Sequence, residues 1–130
     1  MKQLLLLLCL FAPATPLLAE QLNETTLTDK LNGTELTYTH SGGWKFSIKY
    51  SADGLSYTLH NDNTPWSKYY RYQAIEVSAG VYFTSWFDHE RNDYVTQLIN
   101  LNTKRLYGSV LLAKEKIHFE QAIINTLKQY

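Results

Sequence analysis

The sequence predicts an all-β fold, a small antiparallel up-and-down β-barrel of seven or eight strands with a C-terminal helix. Three observations carry this reading. From Trp44 to Tyr50, Trp44, Phe46, Ile48 and Tyr50 point one way while Lys45, Ser47 and Lys49 point the other. A period of two belongs to a strand with one buried face. Similar runs recur along the chain, joined by short Gly, Asn and Asp turns with no long crossover. A meander of that many strands tends to close, because closure removes its unpaired edges. Finally, ten tyrosines and three tryptophans in 130 residues supply rings with polar tips. Such rings suit a cavity wall or an interface, and equally an aromatic β core.

Residues 1–19 stand outside the predicted fold. Lys2, the apolar run Leu4–Phe11 and the small residue Ala19 before Glu20 read as a signal peptide cleaved near Ala19. The run is too short for a membrane span. The expected localisation is therefore secreted or periplasmic. Residues 20–31 read as a polar lead-in with a short helical turn, and residues 32–130 as the barrel domain with its helix. Thr34–His40 is the first strand, and Ser41-Gly42-Gly43 turns it into Trp44–Tyr50. Asp53-Gly54 supplies positive φ for the next hairpin. Leu55–His60 is the third strand, and a loop through Pro65 leads to a long fourth, Trp66–Ser78. Val81–Phe87, Tyr94–Leu101 and Leu106–Leu112 follow, separated by the turns around Asp88–Asp93 and Asn102–Arg105. Phe119, Ala122, Ile123, Leu127 and Tyr130 recur at helical spacing, which predicts a helix over Lys114–Gln129. An eighth strand at Lys116–Gln121 is the competing reading.

Composition narrows the function classes. The chain carries 12 basic and 12 acidic residues, scattered rather than clustered. That is not the footprint of a nucleic-acid binder. Cys9, the only cysteine, leaves with the leader, so neither a disulfide framework nor thiol chemistry is expected. His40, His60, His89 and His118 show no paired metal-ligand spacing, and no metal or cofactor is expected. Asp88-His89-Glu90-Arg91 looks like an acid/base cluster but sits in a turn, where a solvated tip is the default. No serine occupies a nucleophile elbow, and Gly42-Gly43 is too short for a phosphate loop.

The order Gly33, Tyr38-Thr39, Gly43-Trp44, Tyr50, Tyr57-Thr58-Leu59-His60, Trp66, Ala79-Gly80-Val81-Tyr82, Trp86 and Leu106-Tyr107-Gly108 resembles the barrel of phenolic acid decarboxylase. It is also similar to the related MoaF-like proteins; both are lipocalin-like (calycin) barrels. The decarboxylase resemblance implies two carboxylate-binding tyrosines, a pocket arginine and a pocket glutamate. Tyr38 matches the first tyrosine, His40 stands at the second, Thr58 at the arginine and Ala79 at the glutamate. With both charged positions replaced, decarboxylation loses its buried charge-assisted contacts. The MoaF-like resemblance is the better one.

The expected function is that of a non-catalytic barrel binding a small amphipathic, hydrophobic or aromatic molecule. Tyr38, His40, Thr58 and Trp86 are the leading ligand-binding candidates, with Trp44 and Tyr82 behind them. Tyr38 and His40 would hold a polar head, and Trp86 would stack on an apolar body. Two alternatives stand beside this. One is a lyase or isomerase using Tyr38 and His40, which an inward Glu35 or Glu76 would favour. The other is a filled barrel acting through its outer surface. If Thr58 faces inward, then Leu55, Tyr57 and Leu59 face outward and offer a homodimer contact; the resemblance favours such a dimer.

Overall fold

The computed structural model describes residues 25–130, so the segment read as a leader lies outside the described residues. The chain forms eight strands: β1 (Thr34–His40), β2 (Lys45–Ser51), β3 (Gly54–Leu59), β4 (Tyr72–Ser78), β5 (Val81–Asp88), β6 (Asp93–Asn100), β7 (Arg105–Leu112) and β8 (Lys116–Gln129). All neighbouring pairs are antiparallel, in the order β3-β2-β1-β8-β7-β6-β5-β4. This is the expected meander, with β8 returning to β1.

The curled sheet brings its two edges together just before β4. Leu55 and Tyr70 exchange backbone hydrogen bonds of 2.9 and 2.8 Å, and Ser67 N–H donates to the Tyr57 carbonyl at 2.8 Å. The Trp66–Ser78 run is thus one path that first seals β3 and then becomes β4. Gly54 makes the seal possible. Its φ is +128°, and a Cβ there would overlap the Tyr70 carbonyl.

The lead-in closes the end where β1 begins. Asn32 N–H donates to the Asp29 carbonyl (2.9 Å) in a hydrogen-bonded turn, Gly33 N–H to the Tyr50 carbonyl, and Thr28 N–H to the carbonyl of Ala74 in β4. Leu31 is thereby buried against Leu36, Ile48, Tyr50, Leu55, Ile99 and Leu106 in the packed half of the interior.

Two expectations are corrected here. The C-terminal segment is a 14-residue strand rather than a helix. Its register explains the helical spacing. Tyr38 pairs with Ile124 but Thr37 with Thr126, leaving Asn125 as a bulge. The inward set therefore changes parity, from Ala122 and Ile124 to Leu127. Ile117, Phe119 and Ile123 lie on the outer face and are exposed. Apolar residues on both faces around a parity switch imitate a period near 3.6.

The second correction concerns β3. Tyr50 pairs with Leu55, Ile48 with Tyr57 and Phe46 with Leu59. Tyr50 and Ile48 face the core, so Leu55, Tyr57 and Leu59 face inward, and Leu55 is wholly buried. They cannot form the subunit contact expected of them. Thr58 lies on the outside, donating a hydrogen bond to the Thr64 carbonyl.

Candidate functional site

On β2, β3, β7 and β8 the inward residues grow more exposed toward the end opposite the lead-in, while on β5 they stay buried as far as Asp88. Along β8, Ala122 is 4% exposed, the Glu120 side chain 18%, and His118 is exposed. Along β2 the same progression runs from Tyr50 and Ile48, both buried, through half-buried Phe46 to exposed Trp44. Leu55 to Leu59 on β3 and Leu106 to Leu112 on β7 repeat it. One half of the barrel is packed and the other opens to a mouth. The mouth is bounded by the β1–β2, β5–β6 and β7–β8 turns.

Rings line the approach. Tyr38 and Phe46 stack at 5.9 Å between centroids, and His40 meets both edge-on, at 5.4 and 5.2 Å. Tyr57 stacks on Tyr70 at 6.2 Å and donates its hydroxyl to Asp88 Oδ2 at 2.6 Å. Asp88 Oδ1 accepts the Glu90 and Arg91 N–H groups, both at 3.0 Å. The Asp88–Arg91 cluster is therefore a self-satisfied turn with Asp88 as its hub. Among the described residues no three His, Asp or Glu side chains converge as metal ligands.

Below the mouth lies a set of polar groups short of partners. His40 Nδ1, Tyr50 OH, Thr84 Oγ1, Trp86 Nε1 and Gln97 Oε1 are buried and make no hydrogen bond. Native interiors pair such atoms with protein, water or ligand. They come from β1, β2, β5 and β6, with Tyr50 in the packed half beside Thr84 and with His40, Trp86 and Gln97 nearer the mouth. Gln97 Nε2 donates to Tyr38 OH at 3.4 Å. Burial pushes the Tyr38 and Tyr50 hydroxyls far above their ordinary range, so both stay protonated.

Glu120 was not among the residues singled out from the sequence, yet it is the inward carboxylate nearest this set. Its register partner is Gly108, and the next across is Gln97. A Cβ on Gly108 would come within 3.0 Å of Glu120 Oε1. The glycine's φ is not positive, so the residue is there for space rather than for backbone freedom. Glu120 Oε2 lies 3.4 Å from His40 Nδ1. Burial raises the Glu120 carboxyl to about 7. Burial first, and then the charge of His118, lowers His40. At neutral pH the imidazole is held neutral and the carboxyl is only partly ionised, so the contact is not a full ion pair.

Of the six candidates drawn from the sequence, Tyr38, His40 and Trp86 are buried and inward. Tyr82 is buried too, but pairs with Ile99 and Glu76 in the packed half. Trp44 stands at the rim, half exposed, and Thr58 is outside. Glu76, whose inward placement would favour catalysis, has inward parity but pairs with Lys30 away from the polar set. Ala79 is an exposed residue of the β4–β5 turn. A groove of about 870 Å³ runs on the outer flank, bounded by Leu27, Asp53, Arg71, Gln73, Phe87 and Tyr94. It is open to solvent, and of the unpartnered buried atoms only the Trp86 indole borders it.

No curated protein matches this chain. Among solved structures, the crystal structure of a putative beta-lactamase from Burkholderia vietnamiensis superposes with a TM-score of 0.64 at 14% identity. The match covers 77% of this chain and 95% of that one, and at that identity it speaks for the fold alone. Residues 18–111 match the MoaF N-terminal domain, and the chain belongs to that family.

Proposed function

We propose that this protein is an exported barrel that binds a small amphipathic or aromatic molecule in the open half of its interior, without covalent chemistry. The observation that carries the reading is the buried, unpartnered His40 Nδ1, Trp86 Nε1 and Gln97 Oε1 beneath a ring-lined mouth. Ligand sites combine apolar walls with a few convergent polar groups. Tyr38, Phe46, Tyr57 and Trp86 supply the first; His40, Gln97 and Glu120 supply the second. Export rests on the leader-like residues 1–19. Native mass spectrometry of the protein from its source, before and after mild denaturation, tests the binding. A small molecule lost on denaturation is the expected result, and an apoprotein in both spectra overturns it. Amino-terminal sequencing of the mature chain tests the export, with Glu20 expected first.

A second reading, a lyase or isomerase, is favoured by Glu120. It supplies the inward carboxylate beside His40 that acid/base work requires. Incubating the released ligand with the protein in deuterated water separates the two. Deuterium gained at a ligand carbon is catalysis, and an unchanged ligand is carriage.

A further inference from the structure

The open half of the barrel holds two hydrogen-bond acceptors lacking donors, and both stand in one row across the sheet. Gln97 pairs with Gly108, and Gly108 with Glu120. The outer two backbones are therefore about 10 Å apart at ordinary strand spacing. Gly108 between them adds no side chain, and the Glu120 side chain leans over it toward Gln97, its Oε1 within 3.0 Å of where a Cβ would stand. Gln97 Oε1 is buried and unpartnered, its amide nitrogen being turned to Tyr38. Among the described residues nothing donates to the Glu120 carboxyl, and burial alone governs its titration.

The surroundings add no buried positive charge; the charge of exposed His118 is felt at His40 from the rim. His40 from β1, at 3.4 Å, is held toward its neutral form, and Tyr38 from β1 keeps its proton. Asp88 from β5 is saturated by Tyr57 and two N–H groups. Asp93 from β6 is saturated by Arg91 and the Ala113 N–H. Lys116 and His118 from β8 lie exposed at the rim, and β7 faces Glu120 with Gly108. An anion entering here meets carboxylates and no buried cation. An ammonium brings three donors to two waiting acceptors, and the ring faces of the wall attract it as well.

We propose that the ligand of this barrel is a small primary amine with an aromatic or apolar body, its ammonium held between Glu120 and Gln97 Oε1. The proposal rests on the interior being a ligand site, and narrows the ligand's class. Only the ionised carboxyl holds the ammonium well. Affinity for an amine therefore falls as pH drops through the Glu120 titration near 7. From about pH 8 to about pH 5.5 the expected loss is roughly 30-fold. His40, held toward its neutral form by burial, works in the same direction once it protonates.

The test is calorimetric titration of the mature protein with three probes of one shape: benzylamine, benzyl alcohol and benzoate. Benzylamine is expected to bind best at about pH 8. Glu120→Gln should weaken it by about 10–100-fold, the usual worth of a hydrogen bond to a charged group, and leave benzyl alcohol unchanged. Gly108→Ala, which drives a methyl against the Glu120 side chain, should weaken benzylamine by displacing that carboxyl. If benzyl alcohol or benzoate binds as tightly as benzylamine, the amine proposal is overturned while the ligand site stands. If no probe binds, the molecule released in native mass spectrometry decides. An amine supports the proposal and any other class overturns it; an apoprotein overturns both the proposal and the site.

Discussion

Replacing Glu120 by glutamine should remove a pH-dependence of stability that burial of this carboxyl creates. An ordinary glutamate titrates near 4.5; in the fold Glu120 does so at about 7. Between these values the folded chain holds a proton that the unfolded chain has released. Stability from this group is therefore full below about pH 4.5 and is lost as pH rises through 7. From about pH 5 to about pH 8 the wild type should lose about 2 to 3 kcal/mol that the variant keeps. The side chain is only 18% exposed, so solvent screening takes little from this figure. His40 works in the opposite sense. Its lowered titration costs the folded state stability as pH falls below the ordinary imidazole range. That contribution is common to both proteins and cancels in their difference. Urea unfolding followed by tryptophan fluorescence, at several pH values for both proteins, gives the comparison. Parallel profiles would show that Glu120 titrates normally and sits in water, and the buried polar site would lose its only carboxyl.

Three further outcomes follow from the packing. Tyr57→Phe removes the 2.6 Å hydrogen bond to buried Asp88 and should cost about 1.5–3 kcal/mol in urea unfolding; an unchanged midpoint would mean that water already satisfies Asp88. Leu55→Ala should cost about 2–5 kcal/mol without altering the sedimentation mass. A changed mass at unchanged stability would instead put this side chain on the surface. Gly54→Ala combines positive φ with overlap of the Tyr70 carbonyl. It should cost at least about 2 kcal/mol and speed amide exchange at Leu55 and Tyr70, and wild-type exchange there would sink the account of the seam.

The hairpins were legible because their signals are local. Alternation set β2, Asp53-Gly54 set its turn, and β1 runs over Thr34–His40 as expected. What stayed hidden depends on partners distant in sequence. Thr58 and Tyr57 exchange faces under a one-residue slip, and nothing within Leu55–His60 fixes the choice, because both faces of the strand carry residues that tolerate burial. The partner does fix it: Ile48 is wholly buried and lies opposite Tyr57. The bulge at Asn125 is likewise set by pairing with β1, where Thr39 Oγ1 donates to Asn125 Oδ1 at 2.7 Å.

Gly108 carried a signal that could have exposed the site. In Leu-Tyr-Gly-Ser-Val a glycine interrupts a good strand, where it packs nothing and costs backbone entropy. Three explanations compete for such a glycine: positive φ, a bulge, or a group that needs its space. The first two fail, since φ is not positive and β7 pairs without a register shift on either side. The third holds, because the Glu120 carboxyl lies over the missing Cβ. A carboxyl admitted at that cost, raised by burial and given no donor, has no structural task of its own. The strand would be more stable with alanine at 108 and an apolar residue at 120, so the pair is better explained by what enters the barrel than by what holds it together.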